Sequence, residues 1–155
     1  RDDFVDSLLK TIRKYQVDPS DVELEITESI LINDFDMVSD KLKQLHACGI
    51  KISLDDFGTG FSSLSYLKQL PIDTLKLDKS FTDTVLTDSA TRVITESIIN
   101  MVECLGFESI AEGVEDEQQY KYRHAIGCDV IQGYLCGKPQ PPEELEELFQ
   151  KAFTA

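Results

Sequence analysis

The chain has 155 residues, 41% of them apolar, with 15 basic and 29 acidic side chains giving a formal net charge of −14. That length holds one domain with a real core and is too short for two ordinary ones. So acidic a surface repels a polyanion, which excludes general binding to DNA or RNA, although a small phosphate ligand stays compatible where bound cations reverse the local sign.

In chain order, residues 4–15 have helical spacing, with Leu8, Leu9 and Ile12 on one face, and stop before Asp18-Pro19. Residues 22–27 alternate Val22, Leu24 and Ile26 with Glu23, Glu25 and Thr27, a strand pattern. Residues 37–47 read as a helix closed by Gly49, and 51–57 as the next strand. Gly58-Thr59-Gly60 forms a loop open to unusual backbone angles. Ser62 or Ser63 caps a predicted helix running to about residue 70.

A third strand is predicted over 74–78, a long amphipathic helix over 90–105 ending at Gly106, and a fourth strand over 108–114. A helix over 116–126 ends at Gly127, and a fifth strand covers 129–135. Pro141-Pro142 then opens a last helix with acidic residues in its first turn. Strand–helix repeats without hairpin signals imply a parallel sheet, either an open doubly wound sheet or part of a (β/α)8 barrel. No GxGxxG or GxxxxGK[ST] motif is present.

No apolar run is long enough to span a bilayer and no signal-peptide pattern opens the chain, so no membrane contact is expected of this segment. Cys48, Cys104, Cys128 and Cys136 form no CxxC pair and have no histidine cluster nearby. They are expected to be reduced and mostly buried, in a cytoplasmic protein. The opening, acidic and without methionine, reads as a boundary inside a longer protein.

Each predicted strand carries a polar or charged residue near its C-terminal end: Glu25, Asp55 with Asp56, Lys76, Glu112 and Gln132. Sites of parallel α/β folds lie at that edge. Most of these residues, and Glu28 nearby, also have an ordinary reading. Glu25 suits the polar side of a half-buried strand, Glu28 a helix start, Asp55-Asp56 a turn, Lys76 a buried ion pair and Gln132 a backbone partner. Glu115 is assigned to the start of the next helix. Adjacent carboxylates such as Asp55 and Asp56 nevertheless repel unless a cation sits between them. His46 and His124 fall late in helices and away from this edge, so the donors are oxygen-rich. That favours one or two Mg²⁺ or Mn²⁺ ions over zinc. Carboxylates, a divalent metal and a lysine suit hydrolysis of a phosphoester by metal-activated water.

These segments resemble the EAL domain family of cyclic-di-GMP phosphodiesterases. Leu24-Glu25-Ile26-Thr27-Glu28 is similar to its ELTE segment, and Asp55-Asp56-Phe57-Gly58-Thr59-Gly60, continuing into Ser62-Ser63-Leu64, to its DDFGTG loop. Leu75-Lys76-Leu77-Asp78-Lys79-Ser80-Phe81 resembles its KIDRSF strand, with Lys79 where arginine is common. Ala111-Glu112-Gly113-Val114-Glu115 and Gln132-Gly133-Tyr134, ending at Lys138-Pro139, resemble its AEGVE and QGY segments.

The resemblance implies an α/β (β/α)8 TIM-like barrel of EAL type that hydrolyses cyclic di-GMP to linear pGpG with two Mg²⁺ or Mn²⁺ ions. It assigns Glu25 and Asp55 to one metal, Asp55 and Asp56 to the second, and Glu112 to metal or a metal-held water. Lys76 serves the attacking water or the developing charge, and Gln132 positions water or ligand. Glu28 braces the loop, and Gly58, Thr59, Gly60 and Gln132 meet the substrate. It further implies a homodimer with contacts from that loop, and leaves room for an upstream sensory or GGDEF domain, or a membrane anchor, in a longer protein.

The Glu-Ala-Leu triplet and a downstream metal-binding asparagine are absent. Residues 1–155 are therefore expected to be the C-terminal two thirds of the domain, inactive alone. A catalytically silent module that senses cyclic di-GMP is the alternative, and pairing of an open sheet edge with another copy a third outcome.

Overall fold

Strands with apolar side chains at consecutive positions must be covered on both faces, as in a parallel sheet. The computed structural model, which describes residues 3–58 and 64–146, has this arrangement. Ile52, Ser53 and Leu54 of β2 (Lys51–Phe57) and every residue of β3 (Thr74–Leu77) are buried. With β1 (Glu23–Thr27), β4 (Glu108–Ala111) and β5 (Val130–Ile131), they form one sheet in the order β1-β2-β3-β4-β5, every neighbouring pair parallel. A doubly wound sheet reverses its strand order at a switch point. These strands advance in one direction, as in a β/α barrel. Both alternatives were open in the sequence, and the strand order favours the barrel.

The helices are α1 (Phe4–Tyr15), α2 (Glu28–Asn33), α3 (Phe35–Ala47), α4 (Leu64–Leu67), α5 (Lys79–Thr84), α6 (Ser89–Leu105) and α7 (Glu117–Ala125). Their ends follow local chemistry. Asp88 caps α6 by accepting from the backbone of Ala90 and Thr91, and Gly106 closes it at φ 76°. Asp116 and Gln119 form a capping box on α7. Glu115, assigned in the sequence to that helix start, leaves the cap to Asp116. Ile12, Leu42, Leu45 and Ile99 pack from the helices onto Ile52, Leu54, Leu75 and Leu77 of the sheet.

Several expected boundaries shift, among them that of the helix expected to run to about residue 70, which ends at Leu67. The fourth strand stops at Ala111 and the fifth spans only Val130–Ile131. Beyond them Gly113 takes a φ of 68°, and the chain ties itself off through Val114 N–H to Gln132 O and Leu135 N–H to Val114 O. The helix α5 follows closely on β3 where the sequence suggested only a turn, and Glu28, read as suiting a helix start, opens α2. Residues 142–146 begin the expected last helix, while the Ser62 and Ser63 caps lie outside the described residues. The cysteines are free, as expected, yet Cys48, Cys104 and Cys136 are exposed and Cys128 only half-buried. Cys48 caps the end of α3, Cys104 lies in the last turn of α6 and Cys136 follows β5, positions the core does not cover. Among the described residues no helix is long and apolar enough to cross a membrane.

At the N-terminal edge of the sheet, aspartates latch neighbouring strands. Asp73, just before β3, accepts from Ile52 N–H at 2.8 Å and approaches His46 Nε2 at 3.2 Å. Asp129, just before β5, accepts from Ser109 N–H at 2.8 Å and Ser109 Oγ at 2.7 Å. The Ser109 side chain and backbone hold the Asp129 carboxyl below its usual value of 3.8. A depressed folded-state pKa stabilises the fold above the unfolded value and loses that effect as pH falls through the folded one. Asp129→Ala is expected to cost roughly 1–2 kcal/mol at neutral pH. The difference from wild type should shrink as pH falls below 3.8, as measured by urea unfolding at several pH values.

Candidate active site at the strand ends

The site is made possible by an irregularity in β2. Its register with β3 runs Ser53↔Thr74 and Leu54↔Leu75, then resumes at Phe57↔Leu77, so one extra residue is accommodated around Asp55 and Asp56. Adjacent side chains on a regular strand point to opposite faces. A bulge breaks that rule, and Asp56 takes the left-handed φ of 56° that aspartate tolerates better than most residues. Carboxylate oxygens of Asp55, Asp56 and Glu112, all half-buried, consequently lie within 4.8 Å of one another.

Lys76 stands among them from the neighbouring strand, its side chain only 6% exposed. Its Nζ donates to Glu25 Oε1 at 2.9 Å, and lies 2.9 Å from Glu112 Oε1 and 3.5 Å from Asp55 Oδ1. Burial pushes an ammonium toward neutrality. The hydrogen bonds to Glu112 and Glu25, with the charges of Glu112 and Asp55, outweigh it and hold the Lys76 pKa above the usual lysine range. Lys76 is thus a fixed cation. It is the buried ion pair foreseen for it, and it reaches acids of β1 and β2 and the residue after β4.

The loop after β2 is secured from below. Glu28, first in α2 and 2% exposed, accepts from Gly58 N–H through Oε2 at 3.1 Å. Its other oxygen has no hydrogen-bond partner among the described residues. Gly58 has φ 96°, and a Cβ there would sit 2.5 Å from the ring of Phe81. Thr59 and Gly60 lie outside the described residues. Gln132 uses its backbone to hold Ala111 and Val114. Together with Lys79, Glu112, Gly113, Glu115, Gly133 and Tyr134 it lines a cavity of about 240 Å³ beside the carboxylates. Gly133 is required there by proximity, since a Cβ would approach the Val114 carbonyl oxygen.

Glu25, Asp55, Asp56, Lys76 and Glu112 therefore converge, with Gln132 at the margin. The sequence reading missed the Lys79–Glu115 ion pair, at 2.6 Å, and the role of Phe81. Sequence signals existed for both, since Lys79 and Phe81 flank Ser80 in the segment that follows Lys76. The donors are all oxygen, and Lys76 supplies one positive charge to several carboxylates. That set fits a hard divalent cation such as Mg²⁺ or Mn²⁺, held by Asp55, Asp56 and Glu112.

A parallel β/α sheet with carboxylates gathered at its C-terminal edge defines a barrel-type protein with an oxygen-donor cluster able to accept a cation. The EAL domain family model matches residues 1–139, and the chain belongs to that family. A relative from Pseudomonas aeruginosa, the bifunctional diguanylate cyclase/cyclic di-GMP phosphodiesterase MucR, is 42% identical over 141 residues, covering 91% of this chain and 21% of the relative. The structure of the PaMucR phosphodiesterase in complex with c-di-GMP matches with a TM-score of 0.89 at 41% identity, covering 92% of this chain and 58% of that one. The manganese/cy-diGMP complex of Klebsiella pneumoniae BlrP1 matches at 0.80 and 31% identity, over 87% of this chain and 34% of that one. The chain spans about a fifth of the length of the curated relatives it matches. Its fold is an incomplete TIM-like barrel of EAL type.

Two substitutions probe the geometry. Gly58→Ala is expected to destabilise the chain by at least about 1 kcal/mol, through the left-handed backbone and the Phe81 ring together. Lys76→Met leaves the carboxylates without their cation. It should lower the thermal midpoint in chelator, by about 2 kcal/mol or more of stability, and enlarge the rise on adding Mn²⁺. Calorimetry with and without the metal reads both changes.

Proposed function

We propose that this chain carries the metal-binding strand ends of a cyclic-di-GMP phosphodiesterase that hydrolyses the cyclic dinucleotide to linear pGpG. The observation that carries the reading is the convergence of Asp55, Asp56 and Glu112 oxygens within 4.8 Å, in a member of the EAL domain family. The cyclic di-GMP phosphodiesterase activity of the MucR relative and the ligand of its structure support the substrate. The manganese complex of BlrP1 supports the metal.

Glu25 and Asp55 are assigned to one divalent cation, Asp55 and Asp56 to a second, and Glu112 to the same group. When bound, Mg²⁺ or Mn²⁺ supplies Lewis-acid polarisation of a phosphoryl oxygen and a nucleophile at neutral pH. The chain's own residues do the rest. Lys76 keeps Glu25, Asp55 and Glu112 turned toward one point, and its fixed charge offsets negative charge that builds up on the phosphate. Glu28 holds Gly58 at the end of β2, and Gly58, Thr59 and Gly60 are assigned to the substrate. Gln132 orients water or ligand from the adjoining cavity.

The reading extends to a cytoplasmic homodimer, and to a longer protein in which preceding strands bring the Glu-Ala-Leu segment and upstream sensory or GGDEF domains. The small share of each relative that the chain covers is consistent with that.

With Mg²⁺ or Mn²⁺, the longer protein is expected to convert cyclic di-GMP to pGpG, and residues 1–155 alone to yield little or none. Chromatography of the nucleotides decides it. Comparable rates from the two would reject a need for further strands, and binding without cleavage by the longer protein would replace the hydrolase with a sensor. Asp55→Ala in the longer protein should abolish turnover and weaken Mn²⁺ binding; unchanged affinity would remove Asp55 from the ligand set.

A further inference from the structure

Arg123 is a charged residue in the interior. It lies on α7 at 0% exposure. Its Nη2 donates to Thr82 Oγ1 at 3.0 Å, while Nε and Nη1 meet no acceptor among the described residues. A buried guanidinium so incompletely paired is costly, so packing alone would be better served by an apolar side chain.

The hydroxyl it contacts explains what the charge can accomplish. A guanidinium only donates, and a threonine hydroxyl has one proton. Thr82 Oγ1, accepting from Arg123, has that proton free for a single acceptor, and it donates to the backbone carbonyl of Glu112. Thr82 is itself fully buried on α5, which keeps bulk water from competing. On its other side the Glu112 N–H donates to Leu77 O at 3.1 Å. Both backbone polar groups of Glu112 are thereby tied, directly ahead of the left-handed turn at Gly113. Its carboxylate is left at Lys76 and in the group with Asp55 and Asp56. Gln119 reinforces the arrangement, donating to Thr82 O at 3.4 Å and accepting from Glu115 N–H at 2.7 Å.

We propose that Arg123 and Thr82 form a buried relay that positions Glu112 for divalent-cation binding. The assignment rests on reading Asp55, Asp56 and Glu112 as a cation site, and makes Arg123 and Thr82 positioning residues, since neither touches the reacting atoms.

The test replaces both together, Thr82→Val with Arg123→Leu, which removes the relay and leaves an apolar pair in the same space. The change relieves an incompletely paired buried charge but leaves the Glu112 carbonyl without its donor, so thermal unfolding in chelator should occur close to the wild-type midpoint. Mn²⁺ affinity of the chain, read from the electron paramagnetic resonance of the free ion, should fall about tenfold, as it does when groups orienting metal ligands are lost. Thr82→Ser, which keeps the hydroxyl, should retain wild-type affinity. Wild-type affinity in the double variant overturns the proposal, and so does a Thr82→Ser loss as large as that of the double variant. Should the double variant not fold, Thr82→Val against Thr82→Ser makes the same comparison. A wild-type chain that binds no Mn²⁺ sinks the cation-site reading together with this one. Intact wild-type binding without turnover in the longer protein sinks the hydrolase reading alone, because the Mn²⁺ comparison still decides the role of the pair.

Discussion

One buried ammonium organises the functional edge of this chain. Lys76 lies within 3.5 Å of carboxylate oxygens from Glu25, Asp55 and Glu112, which come from β1, β2 and the residue after β4. At an effective dielectric of about 20, unit charges 4 Å apart interact by about 4 kcal/mol. Attraction of that size to several partners offsets the burial of the lysine. It also draws three strand ends to a common point, so removing the lysine would disturb the whole edge. With Asp56 the acids outnumber the lysine, and the gathered carboxylates set up an electrostatic demand that a cation would answer.

That demand exists only because β2 is irregular. Without the bulge, Asp55 and Asp56 would face opposite sides of the sheet and only one could join Glu112. The neighbouring features maintain the bulged exit. Glu28 accepts from Gly58, the Phe81 ring occupies the space a Cβ would need, and Asp56 adopts the left-handed backbone. Phe81 and Lys79 belong to α5, and Lys79 also pairs with Glu115. A six-residue helix therefore braces both the loop after β2 and the turn after β4.

What the sequence revealed follows from how far each determinant reaches along the chain. The alternation in 22–27 and the apolar run in 51–57 depend on near neighbours and mark their strands well. The segments 28–33 and 79–84 are too short to display a helical period, so α5 was not visible and α2 showed only in the helix-start reading of Glu28. Asp55-Asp56 advertised itself as a pair, but the bulge that turns both acids inward depends on the β3 register, which no local pattern encodes. Arg123 stands between Tyr122 and His124 in a polar helix, and its burial arises from contacts 41 residues away at Thr82. The cysteines misled for a related reason. A thiol counts as apolar in composition, whereas its exposure here is set by where the helices and β5 end.

The two edges of the sheet show how the same side chain can meet opposite fates. Asp73 and Asp129, at the N-terminal edge, find backbone N–H donors on the adjacent strand, together with His46 or the Ser109 hydroxyl. Their hydrogen bonding is met locally and they act as latches. Asp55, Asp56 and Glu112, at the C-terminal edge, bring carboxylate oxygens within 4.8 Å of one another with Lys76 against two of them, and Asp55 accepts from the N–H of its own neighbour Asp56 rather than from an adjacent strand. The N-terminal acids serve to join strands, while the C-terminal acids gather around a common point beside the lysine. The location of the chemistry thus follows from strand polarity, and the bulge with its buried lysine decides how many carboxylates that edge gathers.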